Sequence, residues 1–444
     1  MFPPFHVLRR QIAQLIADSN ERGREVGGLM ADLNATPDDY SALFSLATRV
    51  DNTPTRAGWE HYEPSDWAEI AGERSVEHDA DREVDVEEAS EKARAGFLGS
   101  VAGCILGKPV EIMADLEELK AALQSIGEWP LNDYIPQTIK SVGGLRSLHP
   151  DWPECVRENI DSVAPDDDIN YTLLGAMLLE KHGISFTKAH LRRLWLDNLP
   201  LGFTWGPERG FLTQQGMHMA LDDEPDMDLE AMPLHLNPNS ELCGAMIRAD
   251  AYGYAAAGRP ALASELAWRD ASMTHTGNGI YGSMFAAAAI ATAFVTSDWR
   301  EITETALGCV PQRTRFATIV RDSIDRVAAA DDWESAYSDI HGRYSQYGHC
   351  RVFQETGTLV NTLRFAQNVG HGVCIQVSQG NDTDSYGATV GAILGVKFGP
   401  GHLEDRWLTP FKNTIRTRLS GWWEPSLSAT ADRISKLPRI TARP

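Results

Sequence analysis

The stretch Gln379-Gly380-Asn381-Asp382-Thr383-Asp384-Ser385-Tyr386-Gly387 constrains this chain more than any other. Its two carboxylates stand two residues apart with a hydroxyl beside the second, and they converge only where the backbone turns. Gly380 and Gly387 carry no Cβ and permit that turn. From Ala388 to Phe398 small and aliphatic residues read as a tightly packed helix. Hard oxygen donors on a loop at a helix start suit Mg²⁺ or Mn²⁺ better than Zn²⁺, which favours His and Cys. The plain alternative is an Asp N-cap in a surface turn.

A second acidic cluster, Pro165-Asp166-Asp167-Asp168, immediately precedes a helical run from Ile169 to Glu180. Aspartates at a helix start are favoured by capping and by the helix dipole. Three in a row exceed what a cap requires, and their repulsion asks for a cation. Each cluster alone is a weak signal of a cation site, and two of them, each opening a small-residue helix, make a stronger one.

The rest of the chain bounds the class. A length of 444 residues allows one large domain with an appendage, or two to three ordinary ones. With 43% hydrophobic and 23% charged residues, a substantial core is available. A net charge of -22 argues against nucleic acid as a partner, since affinity for it rests on cationic contacts to phosphate. Six scattered cysteines, without paired metal or redox spacing, fit a reduced, cytoplasmic setting. The most apolar run, Met284 to Val295, is too short for a bilayer and reads as a buried helix, so no membrane partner is expected. The N-terminus, with Arg9 and Arg10 after a short apolar patch, does not read as a secretory signal.

Helical periodicity recurs at Tyr171-Lys181, Lys188-Leu196, Ser240-Ala257, Ala261-Ser272, Ile280-Thr296, Phe316-Ala329, Trp333-His341 and Glu355-Ala366, while strand signals are few. The fold class is all-α. Residues 1–88 read as an appendage with an acidic, solvated connector, 89–425 as one compact domain, and 426–444 as a loosely held tail.

The segment from Gly96 to Glu111, with Gly99, Gly103 and Gly107-Lys108-Pro109-Val110-Glu111, resembles the opening helix of the ADP-ribosylglycohydrolase family. Asp166-Asp167-Asp168 is similar to its Thr-Asp-Asp metal motif, and Asp382-Thr383-Asp384-Ser385 to its Asp-x-Asp-Thr motif. Cys243 to Arg248 and Ala271 to Gly282 match its middle, so the resemblance spans about 90–400 in order. It implies an orthogonal helical bundle holding two Mg²⁺ ions, with Mn²⁺ the substitute. Asp166, Asp167, Asp168 and Asp384 would ligate one ion, and Asp382, Asp384, Ser385 and Asp168 the other. Glu111 would serve as general base or ion-gating ligand, with Asp167 and Asp384 beside the reacting centre. The implied reaction is Mg-dependent hydrolysis of the ribosyl bond of an ADP-ribosylated small molecule or protein. Asp166 stands where Thr or Ser is usual, Cys104 where Asp is usual, and Ser385 where Thr is usual. These departures keep two other readings open: hydrolysis of another N- or O-riboside, and a catalytically silent member that binds ADP-ribose.

Substrate contacts have weaker signals. His275 is either a core histidine or a substrate-facing one, and Asn278-Gly279 reads as a loop between helices. Trp205 could stack on a base and Arg209 pair with phosphate, against a Trp that fills a gap between helices. Tyr386 is a candidate for the ribose or base. Tyr344, Tyr347, His349 and Arg351 form a polar-aromatic patch without an assigned role, and His371 reads as structural.

Overall fold

The computed structural model describes residues 3–76, 81–111, 115–143, 148–217, 229, 233 and 236–441. Helices account for the regular structure, and among the described residues there are isolated β-bridges but no strand. The helix Asn278–Ala293, formed by the Ala-rich run, is buried along its whole length. Around it lie amphipathic helices such as Arg315–Ala329, which is capped by Thr314 and buries Phe316, Ile319, Val320, Ile324 and Val327 at helical spacing. No helix is long and apolar enough to cross a membrane among the described residues.

Two glycine-faced helices position the site. Val86–Gly107 and Thr383–Phe398 run antiparallel in close contact. A Cβ on Gly99 would lie 2.3 Å from the carbonyl oxygen of Gly391, one on Gly103 2.0 Å from that of Gly387, and one on Gly107 2.2 Å from that of Thr383. The four-residue spacing puts each glycine on one face, so the backbones meet where side chains would otherwise hold them apart. This revises the role expected of Gly387: it sits in the helix at the crossing. The turn is made by Gly380 (φ 75°) and Asn381 (φ 62°).

Three further expectations change. Ser240 to Ala257 is a 3-10 segment Cys243–Arg248 followed by the helix Asp250–Ala255. Asn278 and Gly279 open a helix, because the Asn278 side chain bonds Glu241 (2.8 Å) and accepts from the Phe316 amide (3.2 Å). The tail forms a helix, Leu427–Ile434, and a 3-10 turn, Leu437–Ile440, that bury Leu427, Ala431, Ile434 and Leu437 in the main core.

The N-terminal helices Phe5–Glu21, Leu29–Ala35 and Tyr40–Asp51 pack on a core of their own built from Leu8, Ile12, Leu33, Leu43, Leu46 and Val50. The chain that follows lies on the main body. Glu63 pairs with the buried Arg315 at 2.8 Å, and the indole of Trp268 donates to the Ser65 carbonyl at 3.0 Å.

Candidate active site

Three helix ends meet at one point. The opening helix ends at Gly107 and continues as the 3-10 turn Lys108–Val110, carrying Glu111 at its exit. The helix Asp167–His182 starts there, as does Thr383–Phe398. Asp166 is the N-cap of its helix, accepting from the Asp168 amide at 2.9 Å, so the capping role and the site coincide. Asp382 makes no side-chain cap and is 1% exposed, which removes the surface-turn alternative.

At the centre lies Lys108, buried to 6% exposure. Its Nζ is 2.7 Å from Asp166, 2.7 Å from Asp384 and 3.1 Å from Glu111. Sequence reasoning quoted Lys108 without giving it a role. Its signal is the three-residue spacing to Glu111 across one turn. Burial alone would push the Lys108 ammonium down, but the charges of Asp166, Asp384 and Glu111 hold it well above its ordinary value. Burial likewise pushes Asp384 up, yet Lys108 wins and keeps it below the usual carboxylate range. Glu111 goes the other way: burial, then the charge of Asp384, pushes it well up. Burial and the Asp166 charge do the same to Asp167 and Asp168. Two adjacent buried carboxyls are thus pushed in opposite directions, Asp384 down by Lys108 and Glu111 up by burial and the Asp384 charge.

Ser385 Oγ stands 3.5 Å from Asp168 Oδ2. Ligand atoms of Glu111, Asp382 and Asp384 lie within 4.8 Å of one another, as do those of Cys104, Asp166 and Asp168. Asp167 is half-buried and belongs to neither group among the described residues. The oxygen-only set fits a hard divalent cation, and one buried oxygen of Asp382 (Oδ1) has no hydrogen-bond partner to occupy it. Beside the second set, a cationic position between Asp166 and Asp384 is filled by Lys108 itself.

Other neighbours emerge only in space. His149 Nε2 is 3.6 Å from Glu111, and its Nδ1 accepts from the Asp151 amide at 3.1 Å. Glu355 accepts from the amides of Asp382 (3.4 Å) and Cys350 (3.0 Å), and burial with the charge of Asp382 pushes it well up. Asp250 is bonded by Ser100 of the opening helix at 3.2 Å, and burial raises it to about 7.

The substrate candidates scatter. His275 is 1% exposed, its Nδ1 2.8 Å from Thr274 and 3.5 Å from Glu208, and burial with the Arg248 charge holds it well below its ordinary value. It belongs to a buried network in which Arg248 pairs with Glu208 and Asp270. Asn278 is fully buried, and its side chain is spent on Glu241 and the Phe316 amide. Tyr386 is 2% exposed. Trp205, by contrast, fills no gap: it is 57% exposed with Arg209 stacked 4.6 Å from its ring. The next residue, Gly206, adjoins Leu242.

A model of the ADP-ribosylglycohydrolase family matches residues 85–439. Comparison with curated proteins gives no match. Among solved structures, one described as an "ADP-ribosylglycohydrolase-related protein complex" has a TM-score of 0.50 at 16% identity, covering 80% of this chain and 99% of that one, a likeness of fold. With the match over most of its length, the chain belongs to the ADP-ribosylglycohydrolase family, metal-dependent glycosidases.

Proposed function

We propose that this glycosidase hydrolyses the ribosyl bond of an ADP-ribosylated small molecule or protein, with Mg²⁺ as its metal. The observation that carries the reading is the meeting of Glu111, Asp166, Asp168, Asp382 and Asp384 around one buried point. Glu111, Asp382 and Asp384 would hold Mg²⁺, which supplies orientation of the ribose hydroxyls and a more acidic bound water. With the ion bound, Glu111 is a carboxylate and takes a proton from the incoming water. Asp384, held ionised by Lys108, faces the positive charge that develops at the anomeric carbon. Asp166 and Asp168 complete the negative wall, with Ser385 bonded to Asp168. Lys108 offsets part of that charge from within, so one divalent ion, rather than the two of the family pattern, suffices beside it. Trp205 and Arg209 supply an exposed aromatic face and a cation suited to a base and a phosphate. An assay of released ADP-ribose on ADP-ribosylated arginine, serine and acetyl-ADP-ribose, with plain nucleosides alongside, tests the reading. Mg²⁺-dependent release from the ADP-ribosylated set supports it, and turnover of nucleosides alone overturns the substrate.

A further inference from the structure

The acid cluster has a neighbour of different chemistry. Cys243 Sγ bonds Asp382 Oδ2 at 3.0 Å, and ligand atoms of Cys243, Cys350 and Asp382 all lie within 4.8 Å of one another. His349 brings its Nε2 to 2.9 Å from Cys350 Sγ. Two sulfurs, an imidazole nitrogen and a carboxylate therefore gather at one place, beside a set made only of oxygens. Metal–sulfur bonds of about 2.3 Å and metal–nitrogen bonds of about 2.0 Å require tetrahedral ligand atoms roughly 3.3–3.8 Å apart, within small side-chain adjustments of this arrangement.

The backbone is built to hold them together. Leu242 and Arg351 form an antiparallel bridge, and the Cys243 amide donates to the Cys350 carbonyl at 2.7 Å, so the two cysteines face each other across it. Cys350 adopts φ 63°, a left-handed conformation that is unfavourable for a non-glycine residue. Its amide is tied to Glu355 at 3.0 Å. Buried polar atoms without hydrogen-bond partners cluster here too: Asp382 Oδ1, His349 Nδ1 and Glu355 Oε2. Both thiols are reduced.

We propose that Cys243, His349, Cys350 and Asp382 bind a zinc ion, separate from the hard-cation position and sharing Asp382 with it. On binding, each thiol gives its proton to solvent and becomes a thiolate, with no change of oxidation state. The ion would tie the segment between the helices Trp333–Tyr344 and Gln354–Phe365 to Cys243, and so anchor Asp382 at the edge of the acid cluster.

The test uses the full chain, purified without chelator and then saturated with Zn²⁺ or Co²⁺ in the presence of excess Mg²⁺. About one zinc per chain is expected, and the cobalt form should show thiolate-to-metal charge-transfer absorption with tetrahedral d–d bands. The double variant Cys243→Ser, Cys350→Ser loses the absorption while its far-ultraviolet circular dichroism stays helical. His349→Ala leaves both thiols in place, covers the case of a misfolded double variant, and should weaken zinc about 10-fold or more. Cobalt bound without charge transfer, no zinc after loading, unchanged zinc affinity in His349→Ala, or a native mass lower by two hydrogens from a Cys243–Cys350 disulfide would each overturn the proposal. None of these readings depends on glycosidase activity.

Discussion

The ammonium of Lys108 lies 2.7 Å from the carboxylate of Asp384, a residue 276 positions further along the chain. The same ammonium touches Asp166 and Glu111, so one side chain is the electrostatic pivot of the site. Removing one partner of a buried charge pair costs about 3–5 kcal/mol, because the other is left uncompensated. Lys108→Met is expected to lose stability of that order in chelator and to recover part of it in Mg²⁺. Its Mg²⁺ stoichiometry should rise by about one ion as the vacated position becomes available. Thermal unfolding with and without Mg²⁺, alongside metal analysis, reads both; equal stability in chelator for variant and wild type sinks the idea.

Asp384→Asn keeps shape and removes the charge that faces both Lys108 and the reacting centre. Turnover should fall by about 10³-fold, with the far-ultraviolet spectrum unchanged. Activity within a few-fold of wild type would count against the catalytic assignment.

Glu111→Gln keeps the side chain's size and removes its capacity to take up a proton. A loss of about 10²–10⁴ in kcat is expected, with a smaller change in KM. A variant that loses affinity but keeps kcat would place Glu111 in binding alone.

Asp250 predicts a pH effect on stability. Burial raises its carboxyl from 3.8 to about 7, so the folded chain holds a proton that the unfolded chain releases at lower pH. Stability from this group is full below about pH 4 and is lost as pH rises towards 7, by roughly 4 kcal/mol in total at about 1.4 kcal/mol per unit. Asp250→Asn accepts the same Ser100 bond without titrating and should flatten that slope. Denaturant unfolding at a series of pH values checks it, and identical slopes would refute it.

The glycine crossing separates close packing from mere flexibility. Gly103→Ala puts a methyl 2.0 Å from the Gly387 carbonyl and should destabilise by about 3 kcal/mol or more. Gly342, on the helix Trp333–Tyr344, has nothing within 4 Å, and Gly342→Ala should stabilise by about 0.5–1 kcal/mol. Chemical denaturation of both variants decides; similar effects of the two substitutions would contradict the crossing.

Much of the architecture was legible along the chain because helical periodicity is local. The run Met284 to Val295 announced a buried helix, whereas the contact of Gly99, Gly103 and Gly107 with Gly391, Gly387 and Thr383 emerged only in the structure. The error at Gly387 arose because glycine serves turns and helix contacts alike, and only the partner backbone tells them apart. Trp205 was weighed as a gap-filler on the habit of aromatic rings, yet it stands exposed over Arg209. The tail looked loose from its polar composition, but four buried side chains at helical spacing anchor it.

Within the site, the residue types of both aspartate clusters and Glu111 were readable in order, since the chemistry of a carboxylate travels with its side chain. The linear order by itself determined an all-helical chain with acids grouped at helix starts. Only the tertiary structure decided which of those acids meet, that Lys108 sits among them, and that Cys243, His349 and Cys350 gather beside Asp382. The reason is physical: ionisation and ligation depend on distance and on exclusion of water, and both are settled by how distant helices pack rather than by what each residue's neighbours in sequence are.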